Sequence, residues 1–191
     1  PYGDSVPYLE QSILWNTWLE KTPSLDHEIV ISDSKEREKD ACTYRCELHL
    51  AMMELYRILK PHRHLSLTFH SLCGKEWHSL IHGVLEAGFA FVDIQWLRQK
   101  TFSPRQINRK RTVKGDFILT FRKEIEPKPI RRLSNQETHE ILCKNLQRKG
   151  YTIDELYFQL IHTLFQERIL CPEFNPFAIP NIQQKENGRW Y

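Results

Sequence analysis

Residues 56–70 read YRILKPHRHLSLTFH, residues 75–87 read KEWHSLIHGVLEA, and residues 89–97 read FAFVDIQWL. The first stretch closes a helical pattern (Leu48, Met52, Leu55, Tyr56, Leu59) at Pro61, which cannot continue a helix. HLSLTFH then reads as a buried strand. In the second stretch Trp77, Leu80, Ile81, Val84 and Leu85 form one apolar stripe, and Gly88 suits the stop of a helix. The third is another strand, and residues 117–121 (FILTF) are one more. A helix between two strands predicts a βαβ unit and a parallel sheet, so the fold class is α/β.

Upstream, Val6, Leu9, Ile13, Leu14, Trp18 and Leu19 have helical spacing up to the break at Thr22-Pro23. Residues 27–31 (HEIVI) predict a short extended piece, and the charged run 33–40 (DSKEREKD) a solvated surface. Trp15, Trp18, Trp77 and Trp96 are expected in the core. Residues 126–130 (EPKPI) mark a boundary. Beyond it two amphipathic helices are predicted, each with a capping box: Ser134 with Glu137, and Thr152 with Glu155. The first is expected to end at Gly150, the second near Ile169, and residues 171–191 form a loop-rich tail.

Composition narrows the function classes. The 191 residues are 40% hydrophobic, enough for a core and against disorder. The net charge of +3 says little about partners. Five cysteines, no CxxC and no signal peptide point to a reducing, cytoplasmic setting. No apolar run reaches the ~20 residues of a membrane span. Cys42, Cys46 and His49 share one helical face and His78 and His82 another, but neither set carries CxxC or HExxH, so no metal is expected. No Ser-His-Asp motif or Walker loop is recognisable.

The chain opens Pro1-Tyr2-Gly3-Asp4 rather than on methionine, and is expected to be cropped from within a longer motif. With the order that follows it (helix, KPHR turn, strand, helix, strand, basic loop, strand) this opening resembles class I S-adenosylmethionine-dependent DNA amino-methyltransferases, and most closely the adenine-specific DNA methylases. The resemblance covers about residues 1–124. In that family a strand ends in Asp-Pro-Pro-Tyr; Pro1 and Tyr2 match its last half, and Gly3-Asp4 its continuation. RILKPHR matches the family's turn into the fifth strand, although His62-Arg63 stand where two glycines are usual. FVDIQWL and DFILTFRK match strands six and seven, an antiparallel hairpin.

The resemblance implies a partial Rossmann-like methyltransferase sheet over residues 1–125 and a helical appendage over 126–191. It implies transfer of a methyl group from S-adenosylmethionine to the exocyclic amine of a flipped base, with N6 of adenine the expected target. Tyr2 would stack on the base and Pro1 would stiffen the loop; Gly3, Asp4, Phe69 and His70 would border the substrate, the last two because ligands of open α/β sheets bind at strand carboxyl ends. Independently of the family, residues 98–115 carry Arg98, Lys100, Arg105, Arg109, Lys110, Arg111 and Lys114 without an acid, a pattern suited to DNA phosphates, with Arg131 and Arg132 as further contributors.

No GxG occurs among the seven glycines, so the cofactor's glycine-rich loop is expected in the missing N-terminal part of the protein or in a partner chain, and the segment alone is expected to be inactive. A homodimer covering exposed sheet edges is a further expectation. The alternatives are N4 of cytosine, an RNA or protein amide as acceptor, or a non-catalytic nucleic-acid or protein binding module.

Overall fold

The computed structural model describes residues 8–71, 73–99, 115–146, 150–179, 182–183, 185 and 189–190. Helix α1 spans Tyr8–Trp18 and α2 Ala41–Ile58; β1 is His64–Phe69, α3 Gly74–Glu86, β2 Phe89–Arg98 and β3 Gly115–Lys123. After β4 (Arg131–Arg132) come α4 (Asn135–Asn145), α5 (Ile153–Gln166) and β5 (Ile169–Leu170). Asp40 starts α2 by accepting from the Thr43 amide at 2.7 Å. The Lys123 ammonium closes the same helix, donating to the carbonyls of Tyr56 at 2.6 Å and Leu59 at 2.8 Å. Gly88 ends α3 with φ of 97°, a conformation that favours glycine. Both predicted capping boxes are formed, Ser134 with Glu137 and Thr152 with Glu155. Helix α4 stops at Asn145, short of the predicted Gly150.

The sheet corrects the parallel βαβ expectation. Its order is β1-β3-β2, and β3 is antiparallel to both neighbours. β1 and β2 run in one direction on either side of α3, but β3 lies between them and takes the ladder bonds of both. The antiparallel β2–β3 hairpin is as expected. The described residues thus form a mixed α/β protein with a three-stranded antiparallel sheet and a two-stranded parallel pair, β4 with β5.

One face of the sheet is apolar. Phe69, Phe117, Leu119, Phe121, Phe89 and Ile94 are buried there. A bulge between Phe91 and Asp93 shifts the register of β2, which keeps Ile94 and Trp96 on the same side as Phe89 and Phe91. Trp77 of α3 meets Phe69 with ring centroids 4.6 Å apart, and Phe165 of α5 meets Phe121 at 5.1 Å. Residues on both sides of 126 therefore share one core. On the opposite face Ser66 and Thr68 are exposed and Ser66 bonds Thr120 across the strands at 3.1 Å.

Three further expectations change. Trp15 and Trp18 are not core residues: they are 65% and 83% exposed, because α1 buries no side chain among the described residues. HEIVI is not extended throughout: His27 closes a 3-10 turn (Leu25–His27), and residues 28–31, with Val30 buried, form no ladder strand. The run 33–40 is not uniformly solvated: Lys39 is buried, and its ammonium meets the carbonyls of Asp26 and Glu28 and the carboxylate of Glu47 at 2.6–2.7 Å. No helix among the described residues is long and apolar enough to cross a membrane.

Candidate nucleic-acid interface at the sheet edge

The carboxyl ends of β1 and β2 and the start of β3 meet at one edge, because β3 is antiparallel to both. Arg98 pairs with Gly115 in the β2–β3 register. The basic segment after Arg98 therefore leaves the sheet and returns to it at the same place. His70 clamps the return: its Nδ1 lies 2.6 Å from the Gly115 carbonyl oxygen, so that nitrogen carries the proton, and 3.9 Å from an oxygen of Asp116. Gly115 has φ of 113°, and a Cβ there would lie 2.1 Å from the Leu97 carbonyl oxygen. Only glycine fits that hinge point.

Of the sequence-predicted residues, His70 and Arg98 are at this edge. Phe69 is enclosed instead: it is 2% exposed, held between β3 and Trp77, and its ring is not open to a substrate. Arg98 is exposed and stacks on Trp96, its guanidinium carbon 4.2 Å from the ring centroid. Lys100, Arg105, Arg109, Lys110, Arg111 and Lys114 lie outside the described residues, as do Pro1, Tyr2, Gly3 and Asp4. Arg131 and Arg132 are paired with Glu167 and Glu86.

Sequence reading missed the cleft beside this edge. It has a volume of about 400 Å³ between β2 and α5, bordered by Gln95, Trp96, Arg98, Glu155, Phe158 and Gln159. Two aromatic rings, two amides, a guanidinium and the Glu155 carboxylate suit a planar polar group such as a nucleobase. The signal was split in sequence by some sixty residues, and only the packing of α5 on β2 joins it.

Among the described glycines that follow or precede a strand, Gly74 packs against the Phe174 carbonyl and Gly88 against the Tyr56 ring. His49 and His82 approach across the α2–α3 contact with centroids 5.6 Å apart, but no group of three metal-ligating side chains is found among the described residues. Comparison with protein-family models, with curated proteins and with solved structures gives no match to this chain.

Proposed function

We propose that this chain is the acceptor-side portion of a DNA amino-methyltransferase acting on N6 of adenine, with the S-adenosylmethionine pocket built by residues other than those described. The observation that carries the reading is the shared edge: the acid-free basic segment starts and ends beside His70, at the carboxyl end of β1. In the open α/β sheet that the resemblance implies, that end of the strand is where a ligand binds. A second feature agrees with it. His62, at a position where the resembling family has glycine, holds φ of 60°, a glycine-like backbone.

In this reading Tyr2 gives the flipped base a flat face, Pro1 fixes the loop, and the basic segment holds the phosphates flanking the extruded nucleotide. The cleft at Trp96 and Phe158 takes a neighbouring unstacked base. The test is transfer of a labelled methyl group from S-adenosylmethionine to unmodified duplex DNA by the complete polypeptide that carries this segment, followed by separation of the nucleosides. Label on N6-methyladenine supports the reading, and Tyr2→Ala should then remove most transfer while sparing cofactor affinity. Label on cytosine moves the target to its N4 amine. Absence of label together with absence of cofactor binding leaves a nucleic-acid binding module.

A further inference from the structure

A second cleft, of about 380 Å³, is bordered by α2, α3 and the β4–β5 pair, and shares no residue with the sheet-edge site. Arg45, His78, His82, Arg132 and Ser134 line it. A smaller cleft of about 260 Å³ adjoins it through Arg45 and His78 and adds Lys75 and Glu173. Two guanidiniums and two imidazoles thus line the larger cleft, while Lys75 and Glu173 border its smaller neighbour.

Arg45 is the informative residue. It is half-buried, and no carboxylate meets it among the described residues; its guanidinium touches only the Cys42 sulfur, at 3.6 Å. That guanidinium opens on the cleft with donors not engaged by a carboxylate, and its fork of donors matches an oxyanion. Arg132 is bonded to Glu86 at the rim. His78 is buried and oriented: its Nε2 donates to the Cys171 carbonyl at 2.7 Å. Among the described residues His82 keeps a buried Nδ1 without a partner, and so does His49, whose ring lies against it. Ser134, the cap of α4, borders the same wall, its amide and hydroxyl donating to the Glu137 carboxylate.

We propose that this cleft binds a phosphate group, gripped by Arg45 and assisted by Arg132, His78 and His82. The cleft exceeds the size of a bare oxyanion, so the phosphate belongs to a larger molecule: a phosphate monoester or the phosphodiester backbone of a nucleic acid. The charge around the imidazoles makes binding proton-linked. His78 faces Arg45 from α2 and Glu173 from the C-terminal segment; His82 faces Arg45 and His49 from α2, and His78 and Glu86 on its own helix. Burial and Arg45 hold both rings below the usual histidine range. A bound dianion reverses the local field, so the rings take up protons with it and affinity rises as the pH falls.

The experiment titrates the chain with sodium sulfate, a dianion at every pH used, against sodium chloride at equal ionic strength, and follows the ring signals of His78 and His82 by NMR. Saturable shifts are expected with sulfate, with a dissociation constant about tenfold lower near pH ~5.5 than near pH ~8. Arg45→Gln should weaken binding about tenfold or more. A sugar phosphate and a short DNA duplex then compete: displacement by the monoester alone assigns a small phosphorylated ligand, and displacement by the duplex assigns a nucleic-acid backbone. Sulfate acting no differently from chloride on the wild-type rings overturns the proposal, whether or not Arg45→Gln folds. So does a sulfate affinity indifferent to both pH and Arg45. The outcome is independent of methyl transfer, since no residue of the sheet edge is involved.

Discussion

The Nδ1 atom of His70 lies 2.6 Å from the carbonyl oxygen of Gly115, tying the end of β1 to the point where the basic segment re-enters the sheet. Gly115 has no alternative residue: any side chain would meet the Leu97 carbonyl at 2.1 Å in a backbone already at φ of 113°. Gly115→Ala should therefore lose about 3 kcal/mol or more in urea unfolding, from combined strain and overpacking. His70→Ala removes one bond and should lose only about 1 kcal/mol. Equal losses would mean that the glycine's conformation and close contact add nothing beyond the single hydrogen bond.

At the other end of β1, His62 occupies a left-handed conformation with φ of 60°, and its amide donates to the Lys123 carbonyl at 3.0 Å. Histidine tolerates this region better than branched residues, and glycine better than either. His62→Val should cost about 1–2 kcal/mol, the strain of a branched side chain there. His62→Gly should be neutral or gain about 0.5 kcal/mol, since relieved strain is offset by greater freedom in the unfolded chain. Chemical denaturation of the two variants beside the wild type checks the order.

Much of the fold was legible because local chemistry fixed it. Pro61, Gly88, Ser134 and Thr152 each punctuate an element where the sequence placed it, whereas Asp40, the cap of α2, was read only as part of a charged run. The sheet order was not legible. A strand–helix–strand pattern gives direction but leaves open which strand fills the space between the two, and here β3 does so after the hairpin. The bulge at Phe91–Asp93 was hidden for a related reason: the apolar series Phe89, Phe91, Ile94, Trp96 breaks period two, and only the ladder shows that one extra residue restores the face. Both clefts draw their walls from segments far apart in sequence, so no local pattern announced them.

Trp77 and Trp18 illustrate how little residue type says about burial. Trp77 has no exposure, its indole N–H donates to the Ser71 carbonyl at 2.9 Å, and its ring is packed on Phe69 and Phe117. Trp77→Ala should cost about 3–5 kcal/mol and threatens folding altogether. Trp15→Ala and Trp18→Ala should each change stability by no more than about 0.5 kcal/mol, because both rings are mostly in water and touch chiefly each other. Tryptophan fluorescence separates the cases: loss of Trp77 removes a blue-shifted component, loss of Trp18 a red-shifted one.

Acid should destabilise the protein before its carboxylates titrate. Burial pushes His78 and His82 below the ordinary histidine range, with Arg45 adding to the effect. The unfolded chain regains ordinary imidazoles, so below pH ~6.5 it binds more protons than the folded one. The stabilising contribution is complete above that pH and is lost as the pH falls through the lowered folded values. In chloride buffers the thermal midpoint should drop between pH ~7 and ~5, and His78→Gln should flatten the slope. An unchanged slope would place the proton uptake on other groups.

The basic segment gives the last prediction, because its charge is measurable without knowing its path. Arg98 and Gly115 are its fixed ends, paired across β2 and β3, and Arg109, Lys110 and Arg111 lie near the middle of the stretch between them. If the segment lies along a DNA backbone, each of the three cations releases counterions on binding, and the logarithm of affinity falls with the logarithm of salt by about 0.9 per phosphate contacted. Replacing all three by Gln should reduce the slope by about 2–3 and weaken binding alike for every duplex sequence. Fluorescence anisotropy with two unrelated duplexes over a range of salt concentrations provides the slope. Arg98→Gln alone should do less, since Arg98 is already stacked on Trp96. A slope left unchanged by the triple replacement would mean that the three cations only solvate the surface, and would remove the main support for nucleic acid as the partner at this edge.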